Sequence, residues 1–245
     1  MEEESTTTAS LKEANGEIGE NDVNMTDSSP LSPEISLPET NLDYDNQLKF
    51  PSSMIINGPS QSGKTHLVRK IISEQVYEVP IKKVVWCYKI FQPWFCSEKN
   101  IKFISGLPTA DEQFDLLILD DLMNNLTSDI SQMFTVESHH KKFSIILITQ
   151  NLFPRVRVAR DISLNAHYII LFRNNRDQSQ IACFGRQVFP DRSKFFMDAY
   201  KKATADKYQF LLVDCFPTTD DELRLRQSIF PDNNGVNWVF VPEEK

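Results

Sequence analysis

The stretch Met54-Ile55-Ile56-Asn57-Gly58-Pro59-Ser60-Gln61-Ser62-Gly63-Lys64-Thr65 decides how the chain folds. An apolar run enters it, and His66 to Gln75 beyond it reads as a helix. The spacing therefore predicts a strand, a tight loop and a helix, the setting in which G-x-x-x-x-G-K-[ST] binds phosphate. Two glycines allow successive N–H groups to converge on one point. The positive end of the following helix is aimed at the same place. Lys64 adds a point charge for the β and γ phosphates, and the Thr65 hydroxyl a ligand for Mg²⁺. The chain has only seven glycines, and two of them stand here at the required spacing. Gly58, Pro59, Ser60, Gln61, Ser62, Gly63, Lys64 and Thr65 are thus the predicted contacts of a nucleoside triphosphate.

Outward from this loop, strand and helix patterns alternate. Strands are predicted at Ser53–Asn57, Lys83–Tyr88, Ile101–Ser105, Leu116–Asp120, Ser144–Thr149, Tyr168–Phe172 and Gln209–Val213. Helices are predicted at Lys64–Gln75, Ser128–His140, Gln178–Phe184 and Arg192–Thr204. Runs such as Leu116-Leu117-Ile118-Leu119 and Ile145-Ile146-Leu147-Ile148 are apolar throughout rather than alternating. Strands covered on both faces read this way. The expected fold class is α/β: one phosphate-loop domain over residues 47–217, with a mostly parallel sheet sandwiched by helices. Residues 218–245 read as a C-terminal extension with a helical turn near Asp221–Gln227.

A bound triphosphate needs a metal and, for hydrolysis, a base for water. The run Phe114-Asp115-Leu116-Leu117-Ile118-Leu119-Asp120-Asp121 ends in paired carboxylates at a strand's C-terminal tip, the edge where open parallel sheets bind ligands. Asp120 is predicted to hold Mg²⁺ beside Thr65, and Asp121 to orient or deprotonate the attacking water. Asp115, about 16 Å away at the other end of the strand, cannot share the site. The next apolar strand ends at Thr149-Gln150-Asn151. There the Gln150 amide can donate to a γ-phosphate and accept from a water. An arginine-rich segment follows, with Arg155, Arg157 and Arg160, and then Arg173 and Arg176. Arg155 and Arg157 read as a solvated basic loop or as DNA contacts. An arginine supplied by a neighbouring subunit would stabilise charge on the transferred phosphoryl group.

The net charge of −8 hides two regions. Residues 1–46 hold twelve acids and one lysine, and the remainder 22 acids and 25 bases. The first 46 residues are polar and acidic, with almost no aromatics, and read as a disordered tail. The body is faintly basic. Four cysteines without a C-x-x-C pair suggest packing roles in a reducing compartment, not zinc or disulfides. No signal-peptide pattern and no membrane-length apolar run is present, so an intracellular protein without membrane partners is expected.

With these stations in place, the sequence resembles the viral DNA-packaging ATPases of the FtsK–HerA superfamily, in particular the forms of Maverick/Polinton elements, adintovirus-like viruses and poxviruses. The resemblance covers roughly residues 47–231. It rests on GPSQSGKT at 58–65, LLILDD at 116–121, ILITQN at 146–151 and RDISLNAHYIILFRNNRDQSQI at 160–181. It implies a homo-oligomeric ring, hexameric or pentameric, that uses ATP and Mg²⁺ to drive double-stranded DNA into a viral capsid, docked on a capsid or portal protein. It places the chain with the virion, or in the host nucleus or cytoplasm during assembly. It also implies the superfamily's sensor role for Gln150, and a trans-acting arginine with Arg160 first and Arg173 and Arg176 behind it. Asp121 stands where many members have glutamate. Two other readings fit the same residues: a P-loop kinase of a small metabolite or nucleotide, and a nucleotide-gated assembly factor that does not hydrolyse.

Overall fold

The computed structural model describes residues 47–122, 128–134, 138–153 and 157–242. The predicted tail at 1–46 and Arg155 lie outside them. Among the described residues, one sheet is built from β1 (Ser53–Asn57), β2 (Val84–Tyr88), β3 (Ile101–Ser105), β4 (Leu116–Asp120), β5 (Ser144–Thr149), β6 (Tyr168–Phe172), β7 (Phe210–Asp214) and β8 (Leu225–Arg226). Their order is β3-β2-β4-β5-β1-β6-β7-β8. From β3 across to β6 every pairing is parallel, and the last two are antiparallel.

The all-apolar strands are explained by what covers them. Successive side chains point to opposite faces, so one run feeds two cores. Leu117, Leu119, Ile145, Leu147 and Ile169 face one. Leu116, Ile118, Ile146, Ile148 and Ile170 face the other. Helix α1 (Lys64–Ser73) covers the second core with Leu67, Val68 and Ile71. The first core is covered by α2 (Ser128–Gln132), α4 (Arg157–Asn165), α5 (Gln178–Val188) and α6 (Ser193–Ala203), through Ile130, Ile162, Phe184 and Phe196. The remaining short helix, α3, spans Ser138–Lys141. Each fully buried Leu or Ile here contributes about 1.5–3 kcal/mol.

Two stretches differ from the sequence reading. Residues 157–165, where no helix is predicted and Arg157 reads as part of a solvated basic loop or a DNA contact, form helix α4. Ala159 and Ile162 are buried there, with Val158 packed against the same core, while Arg160 stays exposed. That apolar spacing is helical, but the arginines between those residues obscure it. The stretch read as a terminal extension also adds β8 to the sheet. A short 3₁₀ turn, Asp221–Leu223, precedes it. Beside β8, the Phe240 N–H donates to Leu225 O at 2.8 Å, and a buried Arg226–Asp214 ion pair at 2.6 Å joins β8 to β7.

Strand β7 is antiparallel for a topological reason. Two helices, α5 and α6, follow β6, one leaving the rim where β6 ends and the other returning to it. The next strand must then run downward, and Phe210 pairs with Phe172 at the start of β7. The two helices meet at Gly185, where an added Cβ would lie 2.3 Å from Phe196 Cδ1. Gly185→Ala should therefore destabilise the domain by about 1–3 kcal/mol through overpacking, despite alanine's higher helix propensity. A lower denaturant midpoint by circular dichroism checks this.

Candidate functional site

The phosphate loop lies between the ends of β5 and β6, because β1 is threaded between those two strands. The Gly58 N–H continues the β1–β5 ladder to Thr149 O at 3.2 Å. A Cβ at Gly58 would lie 2.6 Å from Phe172 Cβ, so only glycine permits this approach. At the far end Gly63 takes φ +102°, which L side chains rarely adopt, and its carbonyl accepts the Leu67 N–H that begins α1. Between them Gln61 is also left-handed, at φ 63°. The loop thus turns tightly back on itself.

The Lys64 ammonium sits inside that curve, donating to Gly58 O and Pro59 O, each at 2.7 Å. Burial lowers its pKa, and the nearby carboxylates of Asp120 and Asp121 oppose that shift. The paired acids therefore share the field of Lys64. Asp120 is 8% exposed at the tip of β4, where its Oδ2 accepts from the Trp86 indole at 3.3 Å. Burial raises the Asp120 carboxyl; the Trp86 hydrogen bond and Lys64 pull it down, and Asp121 pushes it up. Asp121, exposed, leaves the strand at φ 55°, a region aspartate tolerates better than most residues.

Gln150 follows the tip of β5, between the loop strand and the acidic strand, and its Oε1 accepts from Ser60 Oγ at 3.4 Å. The Thr149 hydroxyl fixes the turn beyond it, accepting the Asn151 N–H at 3.1 Å. Asp115 is at the opposite rim, where Oδ2 accepts the N–H groups of Lys82 and Lys83. An open cleft of about 520 Å³ runs between Pro59, Ser60, Gln150, Arg173 and Arg176. Arg173 and Arg176 thus flank the loop of their own chain. The β6 tip that carries them is held by Tyr200, whose hydroxyl donates to Phe172 O and accepts the Asn174 N–H. Arg160, on α4, is not among the residues of that cleft.

The donor set suits a magnesium nucleotide. Among the described residues no group of three or more His, Cys, Asp or Glu can hold a metal. A single buried carboxylate and the half-buried Thr65 hydroxyl match Mg²⁺, which takes one or two protein oxygens and completes its shell with phosphate and water. The buried Ser62 Oγ, in the loop itself, has no hydrogen-bond partner among the described residues.

No family model and no curated protein matches the chain. Among solved structures it is similar to the genome packaging NTPase B204 of Sulfolobus turreted icosahedral virus 2 with sulfate. That match has 13% identity and a TM-score of 0.47, over 80% of this chain and 98% of that one. It is similar also to B204, the DNA-packaging ATPase of Sulfolobus turreted icosahedral virus, at 15% identity and TM-score 0.45, over 79% and 99%. The Legionella pneumophila ATPase DotB matches at 13% and 0.36, over 68% and 56%. Likenesses of this size carry no activity across; the chemistry is read from the residues themselves. Among the described residues no helix is long and apolar enough to cross a membrane.

Sequence reading missed Trp86 and Tyr200. Neither stands in a motif, and each reaches the site only through strand pairing or helix packing.

The raised Asp120 carboxyl has a consequence for stability. Its ionisation costs the folded chain free energy, a cost absent below the ordinary carboxylate pKa and growing as pH rises through the folded value. Asp120→Asn keeps an oxygen for the Trp86 indole and removes the buried charge. It should raise the denaturant midpoint relative to wild type at about pH 7.5, with the gain shrinking towards about pH 4.

Proposed function

We propose that the chain is an ATP-hydrolysing motor that moves double-stranded DNA into a viral capsid, working as a homo-oligomeric ring. The observation that carries hydrolysis is the convergence on one rim of Lys64, Asp120, Asp121 and Gln150, from three adjacent strand ends. Lys64 and the loop N–H groups bind the β and γ phosphates. Thr65 and Asp120 hold Mg²⁺, which neutralises phosphate charge when bound. Asp121 takes the proton of the attacking water or orients it. Gln150, already in contact with Ser60, bridges that water and the γ-phosphate.

The cargo and the capsid rest on the sequence resemblance at 58–65, 116–121, 146–151 and 160–181. The resemblance also supports action beside the virion during assembly. Arg160, exposed on α4, is the first candidate to reach a neighbouring subunit's nucleotide. Arg173 and Arg176 line their own chain's cleft, which supports contact with that chain's own phosphates in cis. The domain we assign to this work is residues 47–217, its sheet extended by β8 from the 218–245 extension, with 1–46 an acidic tail.

ATPase activity measured across protein concentration and double-stranded DNA tests the whole reading. Turnover per chain should rise with both, and DNA affinity should fall steeply with salt. Turnover indifferent to DNA, or phosphoryl transfer to a nucleoside monophosphate, would overturn the motor in favour of a kinase.

Lys64→Ala should abolish ATP binding. Asp121→Ala should bind ATP and lose about 10²–10⁴-fold in kcat. Arg160→Ala mixed into wild type should depress activity more than dilution does; simple dilution would remove Arg160 from the trans role.

A further inference from the structure

We propose that Tyr208 is the platform on which the nucleobase stacks, an inference that rests on the nucleotide reading above. The residue lies in the turn between α6 and β7. Because two helices bring the chain back to the rim where β6 ended, that turn opens on the same rim as the phosphate loop. It stands two strands from β1, about 10 Å at the usual strand spacing, on the side away from Asp120. With the γ-phosphate held towards Asp120, Asp121 and Gln150, the phosphate chain leads away from those groups. The nucleoside then emerges on the β6–β7 side.

The Tyr208 side chain lies against the loop itself. A Cβ built on Gly63 would be 3.2 Å from Tyr208 Cδ1 and 3.6 Å from Tyr208 Cβ. Yet Tyr208 is 68% exposed, so an aromatic surface stands open to solvent beside the start of α1. Its backbone is left-handed, with φ 66°. Glycine or asparagine adopts that conformation with less strain, and bulky residues rarely do. Residues held in such conformations cluster at ligand sites. The turn is also tied to the site, since Arg173 Nη1 donates to Ala205 O at 3.3 Å. Phe91, another exposed aromatic, follows β2 and lies beyond Asp120, on the side of the γ-phosphate. The ligand class is a planar heteroaromatic base joined to a polyphosphate. Stacking on a ring tolerates any base, because every base has a π-face.

Calorimetric titration of wild type, Tyr208→Asn and Tyr208→Phe with Mg²⁺–ADP and with Mg²⁺–pyrophosphate tests the assignment. Asparagine suits the left-handed position, which protects the fold of that variant. Tyr208→Asn should weaken ADP about 5- to 100-fold and leave pyrophosphate unchanged, while Tyr208→Phe should match wild type for both. Equal loss for both ligands would make the ring a support for the loop and overturn the stacking role. Unaltered ADP affinity in Tyr208→Asn would also overturn it, with phosphate binding left standing. If wild type binds neither ligand, the nucleotide reading falls and takes this inference with it.

Discussion

Gly58 lies so tightly against Phe172 that a Cβ has no room, and this approach fixes where the loop leaves the sheet. With no room for a Cβ, the chain leaves β1 hard against β6 and turns over the rim formed by the strand ends. That turn delivers Lys64 to the carbonyls of Gly58 and Pro59. The loop, the first turn of α1 and the tip of β6 are each packed on the next. A side chain at residue 58 would push apart two strands that the double core otherwise holds together.

Around the loop the charges are arranged at a cost. Lys64 and Asp120 are both largely withdrawn from water, and burial acts on each against its charged form. Their mutual attraction offsets part of the penalty, and the Trp86 indole offsets more on the acidic side. Such a pair contributes little to folding. In the proposed function the pair acts on a third partner, a polyphosphate with its cation, that carries both signs of charge. Of the left-handed non-glycine residues among those described, Gln61, Asp121 and Tyr208 stand on the site rim, and Gln75 and Lys142 lie in turns at the opposite one.

The sheet is asymmetric about the loop, and that asymmetry divides the labour. On one side lie β5 and β4, parallel strands ending in an amide and two carboxylates. On the other side β6 ends in arginines, and β7 returns from two helices to present an aromatic turn. The α5–α6 hairpin, packed tightly through Gly185 and Phe196, is what makes the second side different. Tyr200, from the same hairpin, hydrogen-bonds the β6 tip and so places the arginines.

The local signals were legible without coordinates wherever chemistry and short-range patterning coincide. Gly58 to Thr65 declared the loop, the apolar runs declared strands buried on both faces, and Asp120, Asp121 and Gln150 declared themselves as polar residues ending such runs. Helix α4 was hidden because its arginines mask an apolar stripe of only a few residues. The short strand β8 has too few residues to show any period. Strand order lay wholly outside what spacing can say, since a parallel sheet places neighbours by crossover connections. Only the fold could set Gln150 between the loop and the acids, put Trp86 against Asp120, and return Tyr208 to the rim of the Gly58–Thr65 loop. Pairing of that kind is decided by long-range packing of two faces at once, and no local window of residues contains it.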